Sequence, residues 1–501
     1  VEDGSVSLGP NLSERRRRGA YFTPPALVDV LIRDVLYPAL DERSTPPRVI
    51  DPACGDGRLL QAAGEQIAQR FGVDPSPFLV GVEMDPDEAA RTAARIGVSV
   101  LVGDARTLLD SSSHHGAYDV VLGNPPYLSQ LRSATSRGGT SSFGGGPYAD
   151  TAAEFMALAL RLVPEYGGRI GLVLPMSVLA TRHVGPIRHE VERRAAITSF
   201  WWSDSRMFDA SVRTCILGLS TGAATELVRR SYGPEATPID SVQSRSADAA
   251  NSDSWSWLVA DASGVPDLSA IRTAGVLADC AVATADFRDQ YYGLVGAVVD
   301  DTAELADHPQ LITSGLIDPG ATAWGQRPTV FAKQRYRAPR VRTELLDERM
   351  RRWAGARLVP KVLVASQTRV IEAAVDEHGR WLPSVPVVSV VPMSADSLWR
   401  IGALLTSPVA SALLASQRLG SGLSPQALRI TARDLGALPC PAQHDDWDHA
   451  ATALRAGDVL ECGRTMVRAY GLDAEHPALA WWERRISATR GRSGSPNPRR
   501  P

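Results

Sequence analysis

Asn124, Pro125, Pro126 and Tyr127 follow one another directly after the apolar run YDVVLG. An exocyclic amine on an aromatic ring is a poor nucleophile, because its lone pair is delocalised into the ring. Two acceptors aimed at its hydrogens would draw the nitrogen toward a tetrahedral form. The Asn124 side-chain oxygen and the Pro125 carbonyl are acceptors of the right kind. Two prolines would hold the turn, and Tyr127 would stack on the base. A Pro-Pro turn after a strand, carrying a surface tyrosine, is the plainer alternative, and four residues alone do not exclude it.

Upstream lies Asp51-Pro52-Ala53-Cys54-Gly55-Asp56-Gly57, which follows a strand signal and opens a helical one. Glycines there let the backbone approach a ligand closely, although a tight strand-to-helix turn uses them equally well. The next strand ends in Glu83, after VGVE, where an acid can bind two ribose hydroxyls. The third ends in Asp104. Three acids at successive strand ends face the crevice in which doubly wound sheets bind ligands, and together they favour a nucleoside cofactor. With them in place, the reactive reading of Asn124 to Tyr127 outweighs the plain turn. Cys54, inside the glycine loop, reads as a small packing residue. His114-His115 lies in a polar loop without partner ligands at metal spacing, so no metal site is expected.

These residues need a scaffold. Short apolar runs at RVID, FLVGVE, VSVLVGD and YDVVLG alternate with the helical patterns LLQAAGEQIAQR and DPDEAARTAARI. That alternation predicts a parallel sheet with helices on its faces. Residues 25–40 repeat apolar positions at helical spacing, TAAEFMALALRLVP predicts an amphipathic helix, and ITSFWW with TCILGLS predicts a strand pair. Residues 1–20 read as a flexible basic arm, 21–240 as the domain carrying the motifs, and 241–262 as a linker. A second domain is expected over 263–445, with KVLVASQTRVIEAAV and WLPSVPVVSVVP forming a hairpin about the DEHG turn. A helical segment, 446–486, and a disordered tail, 487–501, complete the chain. Trp201-Trp202 and Trp481-Trp482 read as packing.

The chain has 501 residues, 44% apolar and 22% charged, which fits a soluble globular protein of two or three domains. No apolar run reaches membrane-span length, and the N-terminal residues lack the apolar core of a signal peptide. Five scattered cysteines with no C-x-x-C suggest neither a disulfide framework nor a zinc cluster, so a cytoplasmic location is expected. Net charge is only −3, yet residues 327–369 hold twelve basic residues against three acids. Such a run is either an anion-binding face or a solvated surface.

The order FTPP, DPACGDG, VGVEMD, GDA, NPPY resembles the amino-type DNA methyltransferases, and within them the TaqI-type adenine-N6 group, the N-6 DNA methylases. The resemblance implies an α/β fold: a Rossmann-like methyltransferase sheet with helices on both faces, plus a C-terminal α+β target-recognition domain. It implies S-adenosyl-L-methionine as cofactor. Thr23, Asp51, Ala53 and Gly55 would hold its amino-acid part, Glu83 the ribose, Met84 the adenine face, and Asp104 the adenine amine, with Ala105 beside it. Asn124, Pro125, Pro126 and Tyr127 would form the reaction motif. Phe208 matches the second aromatic that sandwiches a flipped base, although a core phenylalanine beside a strand is its plainer reading. The likeness covers residues 20–440 and is specific over the first 220. It assigns no role to the Gly/Ser-rich loop 128–150.

The expected partner is double-stranded DNA, with 327–369 contacting phosphates and Trp324, Tyr336 and Trp353 beside those charges. A separate restriction endonuclease or defence protein would be the other partner, since no nuclease-like cluster is present, and a monomer is expected. RNA, a protein glutamine and cytosine N4 present similar amines, so the reaction motif does not separate them. Phe208 favours adenine. The roughly 250 residues after the motifs, with their basic stretch, favour nucleic acid over protein. Retention of all the motifs disfavours a non-catalytic DNA-binding protein.

Overall fold

The computed structural model describes residues 22–127, 143–145, 151–205, 207–208, 213–222, 227–243, 254–420 and 427–490. The basic arm, most of the 128–150 loop and the tail beyond 490 lie outside these residues. The chain divides into two compact units, 1–258 and 259–501. The division falls inside the stretch expected as a linker, although 241–243 complete a strand and Trp255 is buried.

The first unit opens with α1 (Pro25–Leu31), a π-helical turn Ile32–Leu36, and α2 (Tyr37–Asp41). Pro38 has no N–H to donate into the helix, and the turn ahead of it is widened. There follow β1 (Val49–Asp51), α3 (Arg58–Phe71), β2 (Leu79–Glu83), α4 (Pro86–Ile96), β3 (Ser99–Val102), α5 (Ala105–Leu108) and β4 (Val120–Gly123). The chain continues through α6 (Thr151–Leu162), β5 (Arg169–Pro175), α7 (Gly185–Arg194), β6 (Ala195–Trp202), β7 (Thr214–Thr221), β8 (Leu227–Tyr232) and β9 (Thr237–Gln243).

The nine strands form one sheet in the order β3-β2-β1-β4-β5-β7-β6-β8-β9. Its first five positions are parallel, and β7 inserts antiparallel between β5 and β6. This is the Rossmann-like α/β arrangement expected. Chain order reverses across β1 and β4, so right-handed crossovers send the intervening helices to opposite faces and leave a crevice at the carboxyl ends of those two strands. Helix α6 differs from expectation: apart from Arg161 its residues are buried, so it is a core helix and not an amphipathic one.

Two glycines lie beneath the end of α1 and the π-helical turn that follows it. Gly171 and Gly218 are cross-strand partners on β5 and β7. A Cβ at 171 would come within 2.7 Å of Leu31 and 2.9 Å of Val35, and one at 218 within 3.3 Å of Val35. The helix therefore rests on bare backbone, directly after Thr23 and Pro24.

The second unit is α+β. Strands β10 (Ala281–Ala285), β11 (Val298–Asp300), β12 (Gln310–Ile312), β13 (Thr329–Phe331), β14 (Gln334–Tyr336) and β15 (Pro339–Val341) precede β16 (Lys361–Ala365), β17 (Ala373–Asp376), β18 (Trp381–Pro383) and β19 (Val387–Pro392). One sheet runs β10-β19-β16-β17 and another β11-β15-β12-β18, while β13 and β14 form a separate hairpin. Helices α8 (Arg288–Leu294) and α9 (Glu348–Arg357) lie among these strands in sequence. Helices α10 (Leu398–Leu405), α11 (Pro408–Arg418), α12 (His444–Arg455), α13 (Val459–Ala469) and α14 (Pro477–Arg490) close the unit. Helix α14 runs past the point where a disordered tail was expected to begin.

The DEHG segment does not close a hairpin. β17 enters it paired with β16, but β18 leaves it paired in parallel with β12 in the other sheet. The cause is Asp376. Its carboxylate is buried, takes the Lys361 ammonium at 2.5 Å, and accepts the Arg380 and Trp381 N–H groups at 3.0 and 2.9 Å. Those bonds turn the chain away from β17. Trp201, Trp202, Trp481 and Trp482 are all buried, in line with packing roles. Among the described residues no single helix is long and apolar enough to cross a membrane.

Candidate active site

β1 ends in Asp51, whose side chain is buried and accepts the Ala53 N–H at 3.0 Å. Burial, reinforced by the neighbouring carboxylates of Glu83 and Asp56, outweighs that bond and pushes its carboxyl up to about 7. The loop then turns through Gly55 and Gly57, both with positive φ. At Gly57 a Cβ would collide with Thr92 and Ile96, at 2.6 and 2.8 Å, so this glycine serves packing. At Gly55 a Cβ would meet nothing within 4 Å, so the bare backbone borders open space. The Cys54 thiol lies against Gly81 and is pushed up in pKa by burial, as a packing residue would be.

Glu83, at the end of β2, closes this loop. Its two oxygens accept the Gly55 N–H at 3.1 Å and the Asp85 N–H at 2.9 Å. Met84, next to it, is 61% exposed. Thr23 is buried, and its carbonyl accepts from Arg58 at 2.8 Å. Arg58 also pairs with Asp56 at 2.5 Å and lies over the Phe22 ring. It thus ties the FTPP segment to the glycine loop, a link that sequence reasoning missed.

Asp104 caps α5 through the Arg106 N–H at 3.0 Å. The Arg106 guanidinium grips the same carboxylate at 2.7 Å and reaches Glu154 on α6 at 2.5 Å. Burial would raise the Asp104 carboxyl, but the bonds from Arg106 outweigh it and leave the group below its ordinary value. Ala105 is buried behind it. Neither Arg106 nor Glu154 was singled out from sequence. The available signal was a lone acid in the first turn of an otherwise apolar helix.

β4 leads into Asn124 beside the β1 loop: a Cβ on Gly123 would lie 3.3 Å from Asp51 Oδ1. The Tyr127 hydroxyl donates to Asn124 Oδ1 at 2.6 Å. Pro125 is buried and Pro126 half-buried in the same turn. Phe208 is 8% exposed and meets Tyr127 edge to face, with ring centroids 6.3 Å apart and planes at 80°. The structure therefore brings the two aromatics together, but edge to face and not as a parallel slot. The donor set suits a nucleoside carrying an amino-acid chain. It combines bare backbone at Gly55 for a close approach, an acid at each of three adjoining strand ends, and an exposed thioether at Met84. Away from this crevice, His114 hydrogen-bonds and stacks on Tyr118. Of the 128–150 loop, Phe143 is described, buried with the Arg161 guanidinium 4.6 Å from its ring centre.

In the second unit, half of the basic stretch is taken up by carboxylates. Arg327 pairs with Asp318, Arg340 with Asp301, Arg342 with Glu344, Arg349 with Asp289, Arg357 with Asp286 and Lys361 with Asp376. Of these, Lys361 is buried and Arg357 largely buried in their pairs, and both serve the fold, whereas Arg342 and Arg349 stay substantially exposed. The aromatics are similarly engaged. Trp324 lies under Arg340, Tyr336 is buried, and the Trp353 indole donates to Asp286.

Residues 11–231 match the family model described as N-6 DNA methylase. A curated relative, the type II methyltransferase M.XamI of Xanthomonas campestris pv. amaranthicola, is 32% identical over 136 residues. That match covers 26% of this chain and spans only 23% of the relative's length. The solved structure of the type IIL restriction-modification enzyme MmeI with DNA superposes with a TM-score of 0.58 at 11% identity, over 96% of this chain and 80% of that one. A nuclease-deletion mutant of the type ISP enzyme LlaGI, solved with a DNA substrate mimic, gives 0.50 at 10% identity, over 88% and 54%. At these identities the two structures speak for the fold alone.

Proposed function

From the match of residues 11–231 to the N-6 DNA methylase family model we propose that this chain methylates the N6 amine of an adenine flipped out of double-stranded DNA, within a restriction-modification or phage-defence system. The observation that carries the reading is the placement of Asn124 at the end of β4, against the Asp51 loop at the end of β1. Acceptors for an amine and a cofactor cleft thus share one crevice.

S-adenosylmethionine, when bound, supplies the electrophilic methyl group. Asp51, Ala53, Gly55 and Thr23 would hold its amino-acid end, Glu83 the ribose, and Met84, Asp104 and Ala105 the adenine. A base inside a duplex cannot reach such a cleft, so it must leave the stack. Asn124 and the Pro125 carbonyl accept the two amine hydrogens and hold the nitrogen in line with the methyl, which is catalysis by positioning and electrostatics. For that, the Tyr127 hydroxyl gives up Asn124 Oδ1, and the Tyr127–Phe208 pair opens around the base. No general base is needed before transfer, because the proton leaves afterwards.

Modification-sensitive sequencing of DNA from a methylation-free host expressing the chain, beside an Asn124→Ala control, tests this. One modified adenine within a short motif, lost in the control, is expected. Modified cytosine would correct the base. Unmodified DNA from soluble, cofactor-binding protein would overturn the reading in favour of an RNA or protein-glutamine substrate.

A further inference from the structure

Outside the six ion pairs of the basic stretch, Arg351 and Arg352 are exposed on α9, and a second group of cations shares one hairpin. Among the described residues no carboxylate pairs with Lys333, Arg335 or Arg337, and all three are exposed. They lie on one element, the β13–β14 hairpin and the residue after it. The register pairs Thr329 with Tyr336, Val330 with Arg335 and Phe331 with Gln334. Thr329, Phe331 and Tyr336 are buried, and the Tyr291 hydroxyl accepts the Ala332 N–H at 3.0 Å. One face of the hairpin is thus fastened to its unit. The other shows Val330, 66% exposed, opposite Arg335, with Lys333 at the tip and Arg337 at the base.

The tip itself is unusual. Ala332 and Lys333 both adopt left-handed backbone, at φ 49° and 66°. A two-residue turn of that hand suits a tight hairpin but normally takes Asn-Gly. Here two residues with side chains occupy it, and one is an exposed lysine. Backbone strain of this kind points to a function at the strained place.

We propose that the β13–β14 hairpin enters the major groove of duplex DNA, with Arg335 and Val330 meeting base edges and Lys333 and Arg337 meeting phosphates. The inference rests on the DNA-methylating reading above. B-form DNA's major groove admits a two-stranded ribbon, arginine makes paired bonds to a guanine edge, and an apolar side chain suits the thymine methyl. A ribbon of this width does not enter the deep, narrow major groove of duplex RNA.

Three variants test it: Arg335→Ala, Arg335→Lys, and the pair Lys333→Ala with Arg337→Ala. All the replaced side chains are exposed, so the fold should persist, and cofactor binding checks that it does. The methylated motif is read by sequencing in the methylation-free host. Affinity for a random-sequence DNA duplex is read over a salt series. Arg335→Ala should relax the motif at one position by about tenfold or more in discrimination, and Arg335→Lys should not restore it. The double variant should keep the motif but lower affinity on every sequence, with the log-affinity against log-salt slope falling by about one per charge removed. An unchanged motif in Arg335→Ala, an unchanged salt slope in the double variant, or equal affinity for duplex RNA overturns the proposal while leaving the methylation reading intact. A wild-type chain that binds cofactor and leaves DNA unmethylated overturns both.

Discussion

The Tyr127 hydroxyl and the Asn124 side-chain oxygen are hydrogen-bonded at 2.6 Å, so the acceptor proposed for the target amine is held by the ring proposed to stack on the target base. The two roles need only the ring and the oxygen, not the bond between them. Tyr127→Phe should keep methylation kcat/KM within about tenfold of wild type, whereas Tyr127→Ala should lose the stacking, worth about 1–3 kcal/mol per base. Single-turnover methylation of a duplex carrying the identified motif would show it. A Phe variant as impaired as the Ala variant would mean that the hydroxyl, not the ring, is the functional part.

Arg106 leaves two carboxylates behind when it is removed. Glu154 is buried, and Asp104 is the group expected to meet the cofactor's adenine. Arg106→Met should destabilise the first unit, because the buried Glu154 carboxylate loses the guanidinium that pairs with it. Adding Glu154→Gln should recover much of that loss in denaturant unfolding. Cofactor affinity should remain low in both variants, since Asp104 has lost its grip in each.

Asp51 sets a pH dependence. Its carboxyl is raised to about 7, so the folded chain keeps a proton that the unfolded chain has lost. Its contribution to stability therefore declines as pH rises from about 4 toward 7. Affinity for the cationic end of the cofactor should run the other way, tightening as pH passes through about 7. Asp51→Asn should flatten both profiles. Calorimetric titration of the cofactor between pH 5.5 and 8.5 (roughly a unit and a half either side of the titration) distinguishes this from a pH-independent cleft.

Lys361 belongs to the basic stretch by sequence, yet it is fully buried against Asp376. Lys361→Met should cost about 3–5 kcal/mol of stability, because Asp376 would be left as an unpaired buried charge. In a variant kept folded by low temperature, the salt dependence of DNA affinity should be unchanged. A shallower salt slope would show that Lys361 reaches phosphate after all.

What could be read along the chain was whatever lies close along it. Asp51, Glu83 and Asp104 each end a strand whose apolar run and following helix are contiguous, so their convergence on one crevice follows from the alternation alone. Asn124 to Tyr127 are consecutive. The bridge from Arg106 to Glu154 spans forty-eight positions, and nothing local announces it. The pairings of Arg357 and Arg340 were hidden in the same way, because the acids that engage them, Asp286 and Asp301, lie well upstream. The DEHG turn looked like a hairpin because its residues suit one. Asp376 is spent on Lys361 and on the chain's own amides, and that interaction is visible only once β16 is alongside.

The bare backbone beneath α1 has a genetic consequence. Gly171 pairs with Leu122, two residues before Asn124, and a single methyl there would drive Leu31 and Val35 outward, and with them the helix that follows Thr23. A screen scored by survival under restriction would rank Gly171 beside Asn124 as intolerant of change. Revertants would tell them apart. Loss at Gly171→Ala should be suppressed within the same gene by trimming Leu31 and Val35 together to alanine, whereas no second-site change can return an acceptor to position 124.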